Sequence, residues 1–174
     1  MIDYDVVNFP GIRISDQDGA SSFAPSRREA LDKIVSQPLG RRLLLEISQN
    51  APAFDRWGGS IKIYRAELPI DKGGSKAAPV SEANAKAAGI GSASGVSWNS
   101  NVYVVPGQGP RPPFIGLSHE LIHAWHNALG TKKADYDDEE AFTVGLGPYM
   151  LPVPNGITEN MIRLEHGIPI RHKY

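Results

Sequence analysis

The chain has no cysteine among its 174 residues. That excludes disulfides and thiolate-held zinc, and is compatible with a reducing cytosol or with unfolding for secretion. Neither sign of charge is in surplus: 18 Lys and Arg stand against 19 Asp and Glu, a formal net charge of -1. The electrostatic case for nucleic acid or an anionic membrane is therefore absent. Arg27-Arg28 and Arg41-Arg42 are only pairs, read as exposed helix charges. No apolar run approaches the roughly 18 residues of a membrane span. The start, Met1-Ile-Asp-Tyr-Asp-Val-Val7, lacks the basic and apolar regions of a classical signal peptide. Internal repeats are also missing. The composition is 41% hydrophobic, which suits a soluble globular chain, and the length suits one domain over 1–174.

Against that plain background stands His119-Glu120-Leu121-Ile122-His123. On a helix, residues four apart share a face, so two imidazoles at this spacing can grip one metal ion. Zinc is the usual choice for histidines with an open position. The intervening Glu120 can take a proton from water activated there. The motif needs a helix, and 116–129 reads as one. Leu117, Leu121, Ala124 and Ala128 recur on one face, Gly130 suits a C-cap, and Pro112-Pro113 precede the segment.

A catalytic zinc site wants a third protein ligand and leaves the fourth position to water. A third histidine ten residues after the first, with glycine at the seventh position, is one solution, but those positions hold Leu129 and His126. His126, two turns from His119, is read as supporting the site from behind the ligands. A carboxylate is available from Asp137-Asp138-Glu139-Glu140, with Asp137 or Asp138 capping a short helix that Gly145 ends. Any one of the four acids could turn inward.

His119-Glu-Leu-Ile-His-Ala-Trp-His126 followed by Glu139-Glu-Ala-Phe-Thr-Val-Gly145 resembles the clostridial neurotoxin light chains, which read H-E-L-I-H-A-x-H and then E-E-x-x-T-x-G. The sequence is more similar still to the type III-secreted zinc metalloprotease effectors of the NleD-like family. That likeness extends through Gly145-Leu-Gly-Pro-Tyr149 and Thr158-Glu-Asn160 to Gly167-Ile-Pro-Ile-Arg-His-Lys-Tyr174. The resemblance implies one Zn2+ held by His119, His123 and Glu140, with Glu139 behind them. It also implies that Arg171 and Tyr174 stabilise the oxyanion, a role that suits a guanidinium and a phenol. It further implies a bacterial effector, secreted without a classical signal peptide and acting in the host cytoplasm; a monomer is expected. Its partner would be a protein substrate, a host mitogen-activated protein kinase. An interbacterial toxin peptidase and a non-catalytic zinc-binding interaction module are the alternatives.

The expected fold is a single α+β zincin-like domain, a small and mostly antiparallel sheet packed on the metal helix. Residues 6–15 read as a bent strand or two short ones. Ser26-x-x-Glu29 reads as a capping box opening a helix to 37, 41–48 as a second helix and 61–65 as a strand. The Gly-, Ala-, Ser- and Lys-rich stretch 71–97 is expected to be a mobile loop. Residues 96–98 and 102–105 read as a β-hairpin. Its second strand, through Val102 and Val104, is the candidate sheet edge for an extended substrate. A last helix over 158–165, capped by Thr158, presents Met161, Ile162 and Leu164 as its apolar side. Glu159, Asn160 and Glu165 could orient a metal-bound histidine from there.

Overall fold

The computed structural model describes residues 2–16, 23–56, 58–66, 74–105, 109–150 and 155–174. In chain order it holds β1 (Ile2–Asp5), β2 (Ile12–Asp16), α1 (Phe23–Val35), α2 (Pro38–Asn50), β3 (Ile61–Arg65), β4 (Lys76–Pro79), α3 (Glu82–Ala85), β5 (Ser94–Trp98), β6 (Val104–Val105), β7 (Gly109–Pro110), α4 (Pro113–Leu129), α5 (Tyr136–Val144) and α6 (Glu159–Glu165). None of these helices is long and apolar enough to cross a membrane.

The alternation at 61–65 yields β3 with those limits, Ile61 and Ile63 fully buried. Five strands form one open sheet in the order β1-β2-β3-β5-β4. The α+β class holds, but the sheet is mixed rather than mostly antiparallel. Its centre, β2-β3-β5, is parallel, and only the outer pairs run antiparallel. Long crossovers explain this: α1 and α2 carry the chain from β2 to β3, and returning by a crossover makes strands parallel. Ile12, Ile14, Ile61, Ile63 and Val96 from the sheet join Ile34, Leu43, Leu44, Ile47, Leu117 and Leu121 from the helices in one core.

α4 lies at the centre, touched by α1, α2, α3, α5, α6, β4 and β5. It is buried nearly all round, as a helix enclosed on every side must be. Polar anchors fix its position: Trp98 Nε1 donates to Pro113 O at 3.2 Å, Trp125 Nε1 to Glu46 Oε2 at 2.8 Å, and Asn127 Nδ2 to Ser94 Oγ at 2.9 Å. Pro113 sits in its first turn, where a missing N–H costs nothing. Gly130 ends it with φ +71°, and a Cβ there would lie 1.9 Å from Ala87 O.

Several expectations are corrected. α1 begins at Phe23, so Ser26 stands inside it rather than at its cap. Proline in a first turn allows the earlier start. Pro38 opens α2 instead of only ending α1, and Glu165 accepts the Leu39 N–H with both oxygens at 3.1 Å. Glu165 therefore serves α2 and not a histidine. Arg27 is fully buried, giving hydrogen bonds to the carbonyls of Ser15 and, at 3.1 Å, Ile63. Leu164 is exposed while Ile162 is buried. The loop expected over 71–97 falls outside the described residues at 71–73; beyond them it contains β4, α3 and β5. The expected hairpin does not form. β5 pairs with β3 and β4 inside the sheet, and β6 pairs with β7 in a separate ribbon.

Candidate metal centre and active site

α4 presents His119 and His123 one turn apart toward α5. The two Nε2 atoms are 3.1 Å from each other. Glu140, from α5, brings Oε2 to 3.1 Å from His119 Nε2 and Oε1 to 3.3 Å from His123 Nε2. α5 is placed by Asp135, which accepts the Asp138 N–H at 2.9 Å and caps the helix earlier than the Asp137 or Asp138 expected. Gly145 ends α5 with φ +84°, where a Cβ would stand 2.7 Å from Thr158 Oγ1.

Carboxylates hold the far side of each ring. His119 Nδ1 meets Glu159 Oε2 at 2.8 Å, and His123 Nδ1 meets Glu139 Oε1 at 2.9 Å. With those Nδ1 hydrogens donated outward, both Nε2 lone pairs face one another and a carboxylate. Three acceptors converging on one point need a cation, and two imidazoles with one carboxylate are a donor set that zinc takes. Among the described residues this group has three members, which leaves a position for water.

Burial opposes charge on His123, yet Glu139, Glu140 and Glu120 more than reverse it and push its pKa up to about 10. The same contacts work on the acids. Burial would raise Glu139, but His123, His126 and the Lys133 N–H bring it down to about 2. Glu140 is held well below the carboxylate range by both histidines despite its burial.

His126, fully buried, meets the same Glu139 Oε1 at 2.8 Å, and its ring stacks on Phe142 at 4.2 Å. Burial drives its pKa down. A second cluster of His123, His126 and Glu139 is thus closed by hydrogen bonds around one carboxylate oxygen. Of Glu159, Asn160 and Glu165, the three residues of α6 that could orient a histidine, Glu159 is the one that meets His119. It is fully buried and receives His119, Arg163 Nε at 2.6 Å and Arg171 Nη1 at 2.9 Å. Burial would raise its pKa, but His119, Arg171 and Arg163 together hold it well below the usual range.

Glu120, Arg171 and Tyr174 all line a cavity of about 700 Å3 that also opens on His119, His123 and Glu140. The Tyr174 ring lies parallel to His119, centroids 6.3 Å apart, with Arg171 5.3 Å from its own ring. Burial and Tyr136 push the Tyr174 phenol far up, so it stays a hydrogen-bond donor. Tyr136 is a residue that sequence reasoning missed: its hydroxyl is 3.2 Å from that of Tyr174, and it too lines the cavity. Val102 and Val104 are not brought here. Val104 is exposed in the β6 ribbon and neither residue lines the cavity. The sheet edge beside the site is β4, where Lys76 and Ala77 form part of the wall.

An open sheet lying against a helix that carries two histidines, with a glutamate from the following helix, is a zincin-like arrangement. The chain belongs to peptidase family M91, described as effector proteins, whose model matches residues 12–174. Among solved structures, the catalytic domain of Clostridium botulinum neurotoxin serotype F is similar with a TM-score of 0.57 and 18% identity, over 79% of this chain and 53% of that one. The botulinum neurotoxin type D light chain is similar with a TM-score of 0.60 and 14% identity, over 90% and 58%. At such identities the likeness is one of fold, and this chain spans a little over half the length of those it matches. No curated protein matches the sequence significantly.

Proposed function

We propose that the chain is a zinc-dependent endopeptidase, a bacterial effector that cuts a protein inside a host cell. The observation that carries this reading is the facing pair of Nε2 atoms closed by Glu140, with Glu120 beside them in an open cavity. His119, His123 and Glu140 would hold the zinc, which when bound acidifies water and polarises a carbonyl. Glu120 takes the proton of the attacking water and returns it to the leaving amine. Tyr174 donates to the developing oxyanion and Arg171 adds positive charge beside it. Glu159 and Glu139 keep each imidazole in the tautomer that offers Nε2 inward. An extended substrate adds along the edge strand β4, obtaining main-chain bonds without a demand on its sequence.

The family resemblance supports a mitogen-activated protein kinase as the host target, with the whole of 1–174 acting as one domain. The test is mapping of new peptide termini in host lysate by mass spectrometry, wild type against Glu120→Gln, with bound zinc measured in both. Termini that persist in a zinc-loaded Glu120→Gln protein would overturn the assigned mechanism.

A further inference from the structure

The cavity wall carries a cation that the proposed chemistry does not use. Of its cations, Lys132 pairs with Glu82 at 2.7 Å and Arg171 with Glu159 at 2.9 Å. Glu139 and Glu140 are engaged by the histidines. Arg111 has no ion-pair partner and no side-chain hydrogen bond among the described residues, and its Nε is buried without a partner. A half-buried guanidinium is costly to leave unmatched, because its lost hydration is not replaced.

Its position is fixed by backbone and packing. Arg111 N donates to Tyr103 O at 2.8 Å. The side chain then crosses Gly116: a Cβ at that glycine would lie 3.6 Å from Arg111 Nε and 3.7 Å from Cζ. Gly116 stands four residues before Glu120 on α4, so the two share a face. The guanidinium thus lies over Gly116, whose position on the helix is about one turn, roughly 5.4 Å, from that of the proposed base. Lys76, on β4, lines the same cavity and also has no ion-pair partner among the described residues.

We infer that Arg111 forms a subsite for an anionic side chain of the substrate, one or two residues from the scissile bond. The spacing follows from about 3.3 Å per residue in an extended peptide. The planar fork of arginine suits a carboxylate or a phosphate, which share this chemistry. The inference rests on the endopeptidase reading of the same cavity and names its substrate class: peptides with Asp, Glu or a phosphorylated residue beside the cut.

The experiment profiles a proteome-derived peptide library, half of it phosphatase-treated, with the zinc-loaded wild type, Arg111→Glu, Arg111→Gln and Arg111→Lys. Melting temperature and zinc content are checked for each. The wild type is expected to cut peptides enriched in acidic residues at one fixed position. Arg111→Gln should lose that enrichment, Arg111→Lys should keep a weaker form, and Arg111→Glu should favour Lys or Arg there. For an acidic peptide, kcat/KM should fall about tenfold or more in Arg111→Gln, mainly through KM. Enrichment lost after phosphatase assigns the anion to phosphate, and enrichment kept assigns it to carboxylate. An unchanged preference in Arg111→Glu overturns the subsite while the peptidase stands. If the wild type cuts nothing, retention of the library on Glu120→Gln with and without Arg111→Glu decides. Acid-selective retention that needs Arg111 upholds the subsite while the peptidase reading falls, and retention indifferent to Arg111 overturns it.

Discussion

His119 Nε2 and His123 Nε2 point at each other across 3.1 Å, each ring pinned from behind by a carboxylate. The surrounding carboxylates overcome burial and raise His123 to about 10, so in the metal-free protein one of the two Nε2 lone pairs is expected to carry a proton near neutrality. A metal must displace it. Zinc affinity should therefore rise about tenfold per pH unit for the one proton displaced, from near neutrality up to that value. Zinc titration at several pH values, with an indicator counting released protons, measures this, and a pH-independent affinity contradicts it.

The same ion pair sets the stability of the metal-free form. Glu139 lies at about 2, below its unfolded value, so its contribution is present above roughly pH 4.5 and lost as pH falls toward 2. His123 is raised, so its contribution is complete below its unfolded pKa and lost as pH climbs through about 10. Both shifts describe one network and are not added. Denaturation of zinc-free protein across pH should show a plateau from about 4.5 to about 6.5, the two unfolded values, with stability falling on either side.

Glu159→Gln removes a charge that His119, Arg163 and Arg171 share. Two buried guanidinium groups lose the Glu159 carboxylate, and breaking a buried ion pair from one side costs about 3–5 kcal/mol. Zinc affinity should fall about 10- to 100-fold, since the His119 ring loses its anchor. Urea unfolding and competitive zinc titration read the two effects separately.

Glu120→Gln should lower kcat about 10²- to 10⁴-fold with zinc retained. Tyr174→Phe should lower kcat about 10²-fold with KM nearly unchanged, the signature of a donor used in the transition state. Tyr136→Phe should cost less, because its hydroxyl meets that of Tyr174. Steady-state kinetics on one cleaved peptide ranks the three, and equal losses for both tyrosines would give Tyr136 a direct part.

Gly145→Ala places a Cβ 2.7 Å from Thr158 Oγ1 at a left-handed φ. The strain alone costs about 1–2 kcal/mol, and the displaced cap precedes Glu159. Melting temperature should drop, and the gain in melting temperature on adding zinc should shrink with it.

α4, β3 and the α6 cap were legible because each is written locally, in periodicity, alternation and a Thr158 hydroxyl that accepts the Met161 N–H. The histidine spacing and the acid run on α5 placed most of the candidate centre for the same reason. β4 was not legible: Lys76-Ala-Ala-Pro79 has little strand propensity, and its pairing with β5 is a tertiary choice. The buried Arg27 answers carbonyls far apart in sequence. Glu159 stayed one candidate among three because its partners converge only in the fold. The cap of α5 was misplaced because several acids at 135–140 were equally suited to it.

Asn160 exchanges two hydrogen bonds with the main chain of Arg171, Nδ2 to O at 2.9 Å and Arg171 N to Oδ1 at 2.8 Å. The adjoining Glu159 grips the Arg171 guanidinium and the His119 imidazole together. Local opening of the segment that carries Tyr174 is thereby tied to the state of the histidine pair. The Arg171 amide becomes a reporter: its hydrogen exchange should slow when the centre is filled and quicken when it is stripped, disclosing occupancy with no substrate in hand.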